Sequence, residues 1–115
     1  MNKQIESLKK YGVNIDETMK RFVNDEEFYL ECMDMFFQDD SLEKLIKAIK
    51  ENNNSVAFDA AHTLKGIVGN LGLEVLFEKV STLVEELRDN RPINASKYLD
   101  EINEEYTKIL NCINQ

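Results

Sequence analysis

The chain has 115 residues, 43% hydrophobic and 31% charged, a composition that suits one soluble globular domain over 1–115 with a core that needs no disulfide or metal. Its 14 Lys and Arg against 22 Asp and Glu leave a net charge of −8, which lacks the basic footprint of nucleic-acid binding and argues against an anionic membrane surface. No apolar run approaches the ~20 residues of a membrane span, and Met1 to Tyr11 hold no apolar signal-peptide core, so a cytoplasmic location is expected. Cys32 and Cys112 have no second Cys or His at metal-ligand spacing, so no metal site is expected, and nothing demands a disulfide.

Helix signals recur along the chain. Asn14, with Glu17 three residues on, opens a short helix to about Val23. Asn24-Asp25-Glu26-Glu27 opens a second, to about Phe37. Asp40-Ser41-Leu42-Glu43 opens a third, with Leu42, Leu45, Ile46 and Ile49 on one stripe. The Asn52-Asn53-Asn54 stretch is a loop, and Ser55 is expected to cap a fourth helix to about Leu71, stopped by Gly72. A fifth runs from Leu73 to about Asn90, with Leu76, Phe77, Val80, Leu83, Val84 and Leu87 facing in. Asn90-Arg91-Pro92 breaks the chain, and Asn94 caps a sixth, whose inward residues are Tyr98, Leu99, Ile102, Tyr106, Ile109, Leu110 and Ile113. No run alternates with period two. The stripes can be buried only against each other, so the fold class is all-α: an antiparallel four-helix bundle with one or two short additional N-terminal helices.

His62 is the only histidine. On a wheel of ~100° per residue, Ala60, Leu64, Ile67 and Leu71 fall opposite it, on the core side. Ser55, Phe58, Asp59, Lys65, Gly66 and Gly69 share its own side. The wheel therefore puts His62 outside the core. Two glycines inside a helix each cost ~1 kcal/mol relative to Ala. Placed beside the imidazole, Gly66 and Gly69 strip side chains from the ground around it and let something large approach. Lys65, three residues on, brings a positive charge within reach of the same space. An exposed ring, a nearby cation and cleared ground suit a phosphoryl group on the imidazole.

Ala61-His62-Thr63-Leu64-Lys65-Gly66, followed by Asn70-Leu71-Gly72, resembles the signature of histidine-containing phosphotransfer (HPt) domains. Gly12 to Asp16 and the stretch from Arg21-Phe22 to Phe36 are similar to the N-terminal region of stand-alone members, so the resemblance covers nearly the whole chain. It implies a helical bundle of two-component phosphorelay signalling, with His62 phosphorylated, Lys65 neutralising phosphoryl charge and Gly66 giving steric access. It also implies receiver domains of response regulators as partners, with a hybrid sensor histidine kinase as a further candidate. Where many members carry a small hydroxyl residue after the Lys-Gly pair, this chain has Ile67, on the core side of the wheel. Asp59 is the nearest local candidate to orient the ring, and a plain solvated acid is the competing reading.

No Walker-type loop and no Asp cluster suited to Mg²⁺ is present, so no cofactor and no ATP chemistry are expected. In the resembled family Mg²⁺ and most catalytic groups sit on the receiver. The chain is thus expected to be a phosphocarrier rather than an enzyme, and a monomer. Phe58 and Gly69 are candidate parts of the receiver-docking surface. Between Phe28 and Phe37 only Glu31 and Asp34 are clearly polar. Either the helix over 15–23 covers this segment, or part of it, with Met33 and Met35 as adaptable contacts, joins Phe58 in an exposed patch. Glu74, Glu78, Glu85 and Glu86 read as a solvated helix face. Two other classes compete: a non-phosphorylated helical adaptor that docks a receiver, and an enzyme with His62 as general base, which needs a deep polar pocket at the ring.

Overall fold

Several of the helices begin where a short polar side chain takes over an orphan backbone donor. The computed structural model describes residues 2–90 and 94–114. Asn2 Oδ1 accepts from Gln4 N at 2.7 Å and opens α1, Lys3–Tyr11, which Gly12 ends at φ 129°. Asn14 caps α2, Ile15–Arg21, through Glu17 N, and Asp25 caps α3, Glu26–Gln38, through Phe28 N. Helix α4, Ser41–Lys50, starts where expected, but Asp40 makes no capping bond. Asp39 Oδ1 takes the Ser41 N–H instead, at 2.8 Å. Helix α5, Asn54–Asn70, is capped by Asn53 through Val56 N, not by Ser55. The reason lies one residue earlier: Asn52 takes the left-handed turn at φ 56°, which brings Asn53 to the capping position. Helix α6 spans Glu74–Arg88 and α7 spans Ala95–Ile113. Asn94 precedes α7 without a side-chain cap, its own N–H donating to Glu86 Oε1 at 3.1 Å. The expected break at Arg91-Pro92 lies outside the described residues.

The described residues hold α-helices and no strand. Helices α4 and α5, α5 and α6, and α6 and α7 pack side by side, and α4 meets α7 to close the ring. Links as short as 51–53 and 71–73 force sequential packed helices to run antiparallel. This is the expected four-helix bundle, filled by Leu45, Leu64, Val68, Leu76, Leu83, Ile102 and Ile109, all buried. Tyr98, Tyr106 and Leu110, expected to face in, are only half-buried. No helix among the described residues is long and apolar enough to cross a membrane.

N-terminal to the bundle lie three helices, one more than the sequence reading placed. The unforeseen one is α1, whose apolar stripe is only Ile5 and Leu8. It lies along α7, with Gln4 Nε2 donating to Ile113 O at 2.7 Å and the Tyr11 hydroxyl to Glu105 Oε1 at 2.7 Å. Burial alone would raise the Glu105 carboxyl. The Tyr11 hydrogen bond, then the bond and charge of Lys108 at 3.1 Å, outweigh it and hold the carboxyl below its ordinary range. Tyr11 moves the opposite way, its phenol pushed up by burial and then by the Glu105 contact. Helix α3 reaches the bundle through rings, Phe36 and Phe37 meeting Tyr106 at centroid distances of 5.5 and 5.4 Å.

The N-terminal helices also clasp the C-terminal end of α5. The Tyr29 hydroxyl donates to Leu71 O at 2.8 Å, and Arg21 donates to Asn70 O at 3.3 Å and Gly69 O at 3.4 Å. Helix α5 has no basic residue in its last turn, so Arg21 supplies from α2 the cation that its carbonyl end favours. Gly72 turns the chain at φ +75°, and a Cβ there would stand 2.2 Å from Thr18 Oγ1.

Candidate functional site

Helix α5 carries His62 on its solvent side, as the wheel requires: Ala57, Ala60, Ala61, Leu64 and Val68 are buried while His62 and Thr63 are exposed. Among the described residues no hydrogen bond or ion pair reaches the imidazole, so neither ring nitrogen is taken up by a neighbour there. Asp59 is exposed and makes no bond to the ring, so the sequence candidate for an orienting acid does not serve as one. The ring's aromatic contact is with Phe58, one turn earlier, at a centroid distance of 5.9 Å and an interplanar angle of 30°.

The two glycines of the cleared ground differ. A Cβ at Gly66 would meet nothing within 4 Å, so the surface beside His62 is open there. A Cβ at Gly69 would stand 3.0 Å from the Phe77 ring, so Gly69 serves close packing of α5 on α6 rather than access to the imidazole. Lys65 is half-buried, and its ammonium lies 5.7 Å from the centroid of that same Phe77 ring. The sequence placed this charge in the space of the imidazole; the structure rests it on an aromatic face of α6.

A shallow groove runs beside the histidine between α3 and α5, lined by Cys32, Met35 and Phe36 on one side and Thr63, Gly66 and Ile67 on the other. Each reading of the apolar segment 28–37 is met only in part, since Met33 is buried and Phe58 lines a separate cleft from Met35. Phe22, just past the end of α2, packs on Phe28 and Tyr29 at centroid distances of 5.6 and 5.0 Å, shielding part of the start of α3. Met35, further along, is 68% exposed, whereas Met33 is fully buried in the core. Phe58 is half-buried.

None of the four principal clefts is lined by His62, which stands on a convex helix face. Among the described residues no group of three or more His, Cys, Asp or Glu is placed to hold a metal ion.

Arg88 is a neighbour that sequence reasoning missed. It comes from the last turn of α6 and lies with its guanidinium carbon 5.2 Å from the Phe58 ring centroid. No local spacing could find it, because only the packing of α6 on α5 brings it there.

The family model of the Hpt domain matches residues 31–112. No curated protein and no solved structure matches the chain. The matched stretch covers more than half of the sequence and contains α4 to α6, nearly all of α7 and the exposed face around His62, so the chain belongs to the Hpt domain family.

Proposed function

We propose that this chain is a histidine phosphotransfer protein, which takes a phosphoryl group from the aspartyl phosphate of one receiver domain onto His62 and passes it to the aspartate of another. The observation that carries this reading is an exposed imidazole with no hydrogen bond among the described residues, beside open ground at Gly66 and the groove between α3 and α5. A ring held that way can be reached in line by a group bound to another protein.

The chemistry asks little of the chain itself. A lone pair of the neutral ring forms the P–N bond, the P–O bond to the aspartyl oxygen breaks, and its electron pair leaves with the carboxylate. The other ring nitrogen keeps its hydrogen. Lys65, released from Phe77, would neutralise part of the phosphoryl charge. Catalytic groups and Mg²⁺ belong to the partner in this reading, and the chain has no ATP site of its own. Docking would use the groove edge with Met35, Thr63 and Ile67, together with Phe58. The protein is proposed to act as a cytoplasmic monomer.

The test is transfer from phosphorylated receiver domains of the same organism, read by intact mass. The expected outcome is an acid-labile gain of one phosphoryl group that His62→Gln abolishes. A His62→Gln protein that still takes the label would overturn the site. A folded protein that binds a receiver but gains nothing from a full panel would be a docking adaptor instead.

A further inference from the structure

Transfer between docked proteins requires the accepting nitrogen to be held in line with the bond that breaks, and a misplacement of ~1 Å costs about 100-fold. Active-site histidines are usually held by a hydrogen bond on one nitrogen. None reaches His62 among the described residues. What touches the imidazole is the Phe58 ring, 5.9 Å away between centroids and tilted by 30°. Phe58 is itself held from two sides. It packs against the core, and Arg88 of α6 lies over its ring at 5.2 Å. Arg88 is braced in turn by Glu85, Nε to Oε2 at 3.4 Å.

The geometry has a chemical consequence. Imidazole lone pairs and N–H bonds lie in the ring plane. The Phe58 ring has no hydrogen-bonding atom, so packing beside the imidazole restricts rotation of the side chain without taking up either nitrogen. We infer that Phe58, held in place by Arg88, is the positioning residue that sets the His62 imidazole for transfer from a docked receiver. The inference rests on the phosphocarrier reading. Apolar cover of the core would be supplied equally by leucine at 58; orientation of a neighbouring ring would not.

The experiment uses the full chain with Phe58→Leu, Phe58→Tyr and Arg88→Gln. For each, the maximal rate is measured at saturating phosphorylated receiver, and the rate with phosphoramidate, a small donor free to approach any ring orientation. In Phe58→Leu the ratio of receiver to phosphoramidate rates is expected to fall about tenfold. The His62 ring-proton shifts should move toward random-coil values as the Phe58 ring current is lost. Phe58→Tyr, which keeps the ring, should restore both. Arg88→Gln should lower the ratio by about two- to fivefold, the scale of a partly exposed cation–π contact. An unchanged ratio with unchanged ring-proton shifts in Phe58→Leu would overturn the role. So would a loss confined to the half-saturating receiver concentration, which would make Phe58 a docking contact only. Wild-type protein that accepts from no receiver would overturn the phosphocarrier reading itself, and the role with it.

Discussion

At the C-terminal end of α5 three successive carbonyls, of Gly69, Asn70 and Leu71, accept hydrogen bonds from Arg21 and Tyr29, and the turn beyond is wedged against Thr18. Two turns earlier on the same helix, the His62 ring takes no hydrogen bond from the described residues and a Cβ at Gly66 would meet nothing within 4 Å. One part of the helix is fixed through its backbone, and the other is left bare. In the proposed reading, a side chain reached by a second protein cannot be buried or hydrogen-bonded away by its own chain. Part of the precision it needs then comes from fixing the helix that carries it. The N-terminal helices, of which α1 and α2 lie outside the matched stretch, supply that fixation.

The largest effect should come from breaking the clasp at its tightest point. Gly72→Ala meets both a φ of +75° and Thr18 Oγ1 at 2.2 Å. It should destabilise the protein by about 2–4 kcal/mol, measured by urea unfolding. Adding Thr18→Ala should return the steric part and leave the backbone part. If Gly72→Ala unfolds like wild type, the C-terminal end of α5 is not held as described. Tyr29→Phe comes next. It removes the only hydroxyl on the buried Leu71 carbonyl while leaving ring packing intact, and should cost about 1–2 kcal/mol.

A second tie, between α1 and α7, sharpens the comparison through pH. The Glu105 carboxyl is held below its ordinary range in the folded protein, so folding favours its ionised form. That contribution is complete above the ordinary carboxylate range and is lost as pH falls through the lowered folded value. Glu105→Gln should therefore cost about 1 kcal/mol at neutral pH. The gap to wild type should close as the solution is acidified. A gap that stays constant would mean that the carboxylate charge contributes nothing.

The sequence was most legible where one period governed a long segment. The stripes of α4, α6 and α7 and the outward placing of His62 follow from the 3.6-residue repeat, which is imposed by burial and needs no knowledge of neighbours. Caps were less legible. Asn53, Asn54 and Ser55 can all cap a helix, and the choice among them was made by the left-handed turn at Asn52. Helix α1 escaped because Ile5 and Leu8 make a stripe too short to register, although Asn2 and Gly12 bracket it. Arg88 over Phe58 and Lys65 over Phe77 were out of reach altogether. Both contacts depend on how α6 sits against α5, and no spacing within one helix encodes that.

Gly66 and Gly69 look alike in the sequence, and the smallest effect separates them. Alanine at an open helical position gains about 0.5–1 kcal/mol over glycine, because it restricts the unfolded chain and meets nothing in the folded one. Gly66→Ala should show that gain in thermal unfolding, since its Cβ has no neighbour within 4 Å. Gly69→Ala should not, because Phe77, 3.0 Å from the new Cβ, has to give way, and Lys65 rests on that ring. The opposite sign is expected in function. In the proposed reading a methyl group at 66 would stand in the receiver's approach to His62, so Gly66→Ala should be the more stable protein and the slower acceptor. A glycine kept at a cost in stability is then explained by access to the imidazole. If Gly66→Ala accepts phosphoryl from a receiver at the wild-type rate, the open ground beside His62 has another cause, and docking must come from the far side of the ring.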